Sequence, residues 1–171
     1  MRDFGATYNP IIFYRKDMEQ DFFIFNIRTD APAHSKYSGF VDINYPKNFY
    51  VTADDGDTFD IITEQHHLKN IKSTTELVFD RPGVYQIKII GKKKRPFGFD
   101  KIDVKNQPQK IIGISQWGTI KWNSMKNAFR TCVHLNMISA TDKPNLSKVK
   151  DMTGMFEGCI FLQDPLNVIG T

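Results

Sequence analysis

Cysteine is nearly absent from this chain, with only Cys132 and Cys159 among its 171 residues. Two thiols exclude the densely cross-linked class of small scaffold. No apolar run approaches the ~20 residues that a helix needs to cross a bilayer, so no membrane span is expected. The opening residues, Met1-Arg2-Asp3-Phe4-Gly5, lack the basic-then-apolar layout of a secretory signal. The sequence is therefore expected either to be part of a longer exported chain or to reach its site by another route. Catalytic signatures are missing as well. There is no Gly-rich phosphate loop, no Cys-x-x-Cys, no His-Glu-x-x-His and no Gly-x-Ser-x-Gly, and together these absences argue against an enzyme. A large excess of charge of one sign is lacking too, with 23 Lys and Arg against 19 Asp and Glu. A net charge of +4 is too small and too dispersed for a specific nucleic-acid partner. With 40% apolar and 25% charged residues the balance is that of a globular protein. The length suits one ordinary domain or two small ones.

What the chain does contain is a stretch that repeats itself. Trp122-Asn-Ser-Met125-Lys-Asn-Ala-Phe129-Arg-Thr-Cys132-Val133-His-Leu135 aligns with Val149-Lys-Asp-Met152-Thr-Gly-Met-Phe156-Glu-Gly-Cys159-Ile160-Phe-Leu162 at a spacing of 27 residues. That period lies in the range of the leucine-rich repeat, in which one short strand and one helical segment make a coil. Met125, Phe129, Cys132 and Leu135 follow steps of four, three and three, as do Met152, Phe156, Cys159 and Leu162. These eight are the expected repeat core, each set lining one face of a short helix. Packed helices sit ~8–10 Å apart, whereas a disulfide needs Cα atoms within ~7 Å. Cys132 and Cys159 are therefore expected to be reduced, buried and apolar in character.

Upstream the pattern is of strands. Residues 22–29, 40–43, 48–52, 59–63, 76–79 and 84–89 are rich in aromatic and β-branched residues and are punctuated by turn formers. Short strands at this spacing suggest an antiparallel sandwich. Further strands are expected at 101–104, at 111–115 opening the first repeat, and at 135–140 opening the second. Residues 1–20, with Ile11-Ile12-Phe13-Tyr14, are expected to be an arm or linker that docks on something.

The turn Asp54-Asp55-Gly56-Asp57 and the later Phe79-Asp80-Arg81-Pro82-Gly83-Val84-Tyr85-Gln86-Ile87 resemble a PKD-type immunoglobulin-like domain, although Asp55 stands where that family carries an aromatic. Val149-Lys-Asp151-Met152-Thr-Gly-Met155-Phe156-Glu-Gly158-Cys159 is similar to the BspA-like leucine-rich repeats of microbial surface proteins. The resemblance implies a mainly β fold with short helices: a PKD-like sandwich over 21–104, then repeats over 105–171 amounting to about two coils and the start of a third. It also implies a non-catalytic adhesion module at the cell surface or outside the cell, the sandwich a spacer and the repeats a recognition face for a protein or glycan. The alternative expectation is a structural assembly protein, for instance a virion decoration or attachment component. Such a protein would form a homo-oligomer or capsid-type assembly through the N-terminal arm and the open C-terminal repeat.

Candidate sites are few. His66-His67 is the best metal pair by residue type, but adjacent strand residues face opposite ways and further ligands would be needed. It is read as an inter-strand loop. Asp54, Asp55, Asp57 and Asp60 could hold calcium, yet the spacing fails the EF-hand rule, so they are read as a capped turn. Lys92-Lys93-Lys94-Arg95 is read as a solvated loop. No cofactor is expected. Trp122, in the slot of Val149, is expected in the core, and Gln116, Trp117 and Thr119 are the candidate contact edge beside the first repeat strand.

Overall fold

A computed structural model describes residues 20–29, 47–51, 58–91 and 108–163. Eight strands are present among them: β1 (Phe23–Arg28), β2 (Asn48–Val51), β3 (Phe59–Ile62), β4 (His67–Ile71), β5 (Thr75–Val78), β6 (Val84–Gly91), β7 (Ile111–Gln116) and β8 (Met137–Ile138). Six form one sheet in the order β4-β3-β6-β1-β7-β8, and β2 and β5 form a second. The chain is thus mainly β, with mixed and antiparallel sheets. The strand expectations at 40–43 and 101–104, the arm at 1–20, the turn at 54–57, the basic loop at 92–95 and the start of a third coil beyond 163 lie outside the described residues.

Alternation sets which faces meet. In β6, Tyr85, Ile87 and Ile89 are buried while Val84 and Gln86 are exposed, as a half-buried strand requires. β1 is central, paired antiparallel with β6 on one side and β7 on the other, and buries Phe23, Ile24, Phe25 and Ile27. The two sheets share one core. Phe25 meets Phe49 of β2 with ring centroids 5.8 Å apart, and Phe79 stacks on Tyr85 at 4.0 Å. The Arg81-Pro82-Gly83 turn is fastened twice. Thr29 N–H donates to Gly83 O at 2.7 Å, and the Tyr85 hydroxyl donates to Arg81 O at 2.6 Å.

One strand was not expected. His67 opens β4 rather than lying in a loop; this edge strand shows mostly exposed or half-buried residues, and its pairing with β3 is irregular. Asn70 sits at φ 56° with its N–H on Asp60 Oδ1 at 2.8 Å. None of the residues of β4 is buried, so it carries little of the apolar alternation by which strands are recognised.

β7 joins the halves. It lies antiparallel to β1 and parallel to β8, with Gly113 opposite Met137 and Ile114 opposite Ile138. The sheet therefore runs without a break from the strand-rich half into the self-similar stretch. Beside this junction Phe23 contacts Trp117 at 5.8 Å and Trp122 at 5.3 Å, and Trp117 meets Phe129 edge-on at 6.1 Å. Both tryptophans are fully buried. The Asp142 carboxylate accepts the N–H groups of Trp117 and Gly118, fixing the corner where the chain leaves β7.

The helices expected at 122–135 and 149–162 do not form. Helix among the described residues is confined to short 3-10 turns, including Pro108–Lys110. The expected apolar stripe lies instead on a run of tight turns. In the first copy, N–H groups of Ala128, Arg130, Cys132 and Leu135 donate three residues back, and in the second those of Met155, Glu157, Cys159 and Leu162 do the same. Asn127 and Thr131 sit at φ 54° and 59°, and the aligned Gly154 and Gly158 at 67° and 78°. A left-handed residue at every fourth position breaks an α-helix. Steps of four, three and three also fit such turns, which is why the spacing alone suggested helix.

Gly118 is expected to tolerate no side chain. Its φ is +67°, and a Cβ there would stand 2.4 Å from the main-chain oxygen of Phe22. Gly118→Ala is expected to lower unfolding free energy by ~1–3 kcal/mol in urea titrations. Gly91→Ala, where a Cβ meets nothing within 4 Å, is expected to stay within ~0.5 kcal/mol of the parent.

Candidate functional site: the open edge of the second copy

The two copies lie against each other through their backbones. Met125 N–H donates to Asp151 O at 2.9 Å, Asn127 to Thr153 at 2.9 Å, Phe129 to Met155 at 2.8 Å and Thr131 to Glu157 at 2.7 Å. From Met125 to Thr131 every second N–H thus crosses to the second copy, while the N–H groups between them close local turns. The ladder sets a spacing like that of neighbouring strands, ~4.8 Å, rather than that of packed helices.

Side chains stack in the same register. Phe129 and Phe156 lie parallel with ring centroids 5.4 Å apart. Lys126 reaches Asp151 at 3.4 Å and Arg130 reaches Glu157 at 2.9 Å, exposed pairs of small worth. The caps repeat too: Thr153 N–H donates to Asp151 Oδ1 at 2.8 Å, and Lys126 N–H to Ser124 Oγ at 3.2 Å. Ser124 therefore does locally what Asp151 does, although the first copy matches the motif poorly.

Of the eight expected core residues, Met125, Phe129, Cys132 and Leu135 are fully buried. Met152, Phe156, Cys159 and Leu162 are half-buried and packed against that core, and Met155 is the more deeply buried methionine of the second copy. The asymmetry has a simple origin. The first copy is covered on its far side by the second, whose own far side has no such cover among the described residues. Cys132 and Cys159 are free thiols; Cys132 is buried, whereas Cys159, also expected to be buried, is half-buried. The distance argument for keeping them apart does not hold, because the copies sit at ladder spacing. The Cys159 sulfur, and then burial, push the Cys132 thiol well above its ordinary value.

The uncovered side is an edge with chemistry. The N–H groups of Met152, Gly154, Phe156 and Gly158 occupy the positions of Met125, Asn127, Phe129 and Thr131, yet they reach no acceptor among the described residues. Beyond them Ile160 and Phe161 are 63% and 55% exposed. Phe161 lies flat against His134 with centroids 6.3 Å apart. Four donors at alternate residues, bordered by apolar side chains, can receive an extended backbone or a polar ligand rich in acceptors.

The sequence-derived contact edge fares differently. Gln116, Trp117 and Thr119 are contiguous, but Trp117 is fully buried and Gln116 is half-buried with its Nε2 donating to Phe22 O at 2.8 Å. Only Thr119 is exposed. Trp117 is a joint residue, hidden because β1 and the first copy close over it. The sequence pointed to an open C-terminal repeat but not to the groups that line its edge, because unpaired N–H groups leave no mark in residue identity.

Elsewhere, His66 Nδ1 lies 2.9 Å from Thr63 Oγ1 and its ring meets Phe79 edge-on. No group of three His, Cys, Asp or Glu side chains suited to a metal occurs among the described residues. A concavity of ≈ 360 Å³ on the large sheet is lined by Ile62, Thr63, Glu64, Gln86 and Lys88. No helix among the described residues is long and apolar enough to cross a membrane. No family model, curated protein or solved structure matches the chain.

Asp151 links the ladder to pH. Hydrogen bonds from Thr153, followed by the nearby Lys126 charge, hold its carboxyl below the ordinary value of 3.8. A carboxylate with a depressed pKa stabilises the fold above its unfolded value, and that contribution is lost as pH falls through the folded one. Asp151→Asn is therefore expected to lower Tm at neutral pH, with the gap to the parent closing below pH 3.8. Circular-dichroism melts across that window check it.

Proposed function

We propose that this protein is a non-catalytic binding or adhesion module of a microbial surface. In this reading the strand-rich half is an immunoglobulin-like sandwich of PKD type acting as a spacer. The self-similar stretch is two coils of a BspA-like leucine-rich repeat presenting a recognition face for a protein or glycan. The observation that carries the reading is the backbone ladder between the copies, in register and, among the described residues, open on the outer side of the second. Stacked coils held only by neighbours are the physical basis of repeat proteins, and their exposed surfaces are extended binding faces. The sandwich reading draws on the two sheets around one core and on the Tyr85 hydroxyl bonded back to Arg81 O, the arrangement of a tyrosine corner.

The same open edge favours a second reading, in which a neighbouring subunit closes it and the protein is an assembly component, such as part of a virion. The two readings differ in solution. An adhesion module is expected to sediment as a monomer, and an assembly component as an obligate oligomer.

Beads coated with the protein are expected to be retained on a glycoprotein surface such as immobilised mucin. A variant carrying Ile160→Asp and Phe161→Asp is expected to lose retention by about tenfold, equivalent to ~1.4 kcal/mol, with its far-ultraviolet spectrum unchanged. Equal retention of parent and variant would contradict a role for this face.

A further inference from the structure

Lys110 closes the 3-10 turn before β7 and is only 1% exposed. A buried amine needs strong compensation or gives up its charge. Its Nζ lies 2.5 Å from the main-chain oxygen of Asn48 and 3.4 Å from Asn48 Oδ1. On the other side of that carboxamide, Asn48 Nδ2 donates to Glu76 Oε1 at 2.5 Å, and the Tyr50 hydroxyl donates to the same oxygen at 2.7 Å. The side-chain amide is thus gripped from both ends, an amine by its carbonyl and a carboxylate at its nitrogen. β2 and β5 hold the second grip in place, since Asn48 and Tyr50 share a face and Glu76 stands opposite Tyr50.

We propose that Lys110 and Asn48 join in an intramolecular isopeptide bond, with Glu76 serving the departing nitrogen. The lysine Nζ lone pair attacks Asn48 Cγ, forming the new C–N bond and a tetrahedral centre. The proton that Nζ must shed passes to the neighbouring Oδ1 of that centre and from there to solvent, while Nδ2 takes up a proton from solvent through the Glu76 carboxylate. The Cγ–Nδ2 bond then breaks, the carbonyl re-forms and ammonia leaves. Nothing is oxidised or reduced, and no co-reactant is consumed. Two features of the site suit these roles. Burial draws the Lys110 amine down to about 8, so a neutral nucleophilic fraction exists near neutral pH. Bonds from Tyr50 and Asn48 hold the Glu76 carboxyl below its usual range, so it is ionised and able to receive a proton.

The bond would tie the first residue of β2 to the residue just ahead of β7, locking the small sheet to the strand from which the two copies begin. It is independent of the adhesion reading, since its formation requires no ligand.

The test is the intact mass of the purified full chain under denaturing conditions, followed by proteolysis. The expected result is a mass lower than the sequence by one ammonia, with a branched peptide joining the segments that contain Asn48 and Lys110. Lys110→Arg and Asn48→Ala are each expected to restore the full sequence mass, and Glu76→Gln to slow the conversion. A full sequence mass in the parent, or a lost ammonia without the branched peptide, would overturn the proposal.

Discussion

Between Met125 and Thr131 every second N–H is committed to a carbonyl of the second copy, and the rest of this half of the molecule follows from that division. An α-helix needs all its interior N–H groups for its own carbonyls. Once Met125, Asn127, Phe129 and Thr131 donate outward, only tight turns remain for the groups between them. Those turns require left-handed backbone at Asn127 and Thr131, and at Gly154 and Gly158 in the second copy. Glycine takes that conformation freely, asparagine at modest cost and threonine with more strain. The same ladder brings Phe129 onto Phe156 and Cys132 beside Cys159. Burial of the apolar stripe is a result of backbone register, not of helix packing.

The strand-rich half closes the near end of this arrangement. β7 serves two partners, β1 across an antiparallel ladder and β8 across a parallel one. A two-residue strand such as β8 could not persist alone; the turn ladder further along supports it. Between the halves, Phe23, Trp117, Trp122 and Phe129 form a continuous aromatic contact. Asp142 and Gly118 set the corner that lets Trp117 enter it. The two halves thus share both a sheet and a core, and among the described residues the stacking goes no further than the second copy.

Much of this was legible. Phe23, Phe25 and Ile27 alternate as a buried strand should, and the expected strands at 48–52, 59–63, 76–79, 84–89 and 111–115 all appear within a residue or two of their places. The match of Met125, Phe129, Cys132 and Leu135 to the second copy identified the residues that the first copy buries. Three things were not legible, each for a physical reason. The steps of four, three and three do not distinguish a helical face from successive turns, because both bring such residues to one side. β4 lacks apolar alternation because neither of its faces is buried. The open N–H edge and the pairing of Lys110 with Asn48 depend on backbone register and on residues 62 positions apart, which one-dimensional spacing does not encode.

The most direct measurement is amide hydrogen exchange resolved by residue in the intact chain. Slow exchange is expected at Met125, Asn127, Phe129 and Thr131, whose N–H groups bridge the copies, and fast exchange at the aligned Met152, Gly154, Phe156 and Gly158. Equal protection of both sets, or rapid exchange at the first, would contradict the ladder and the open edge together.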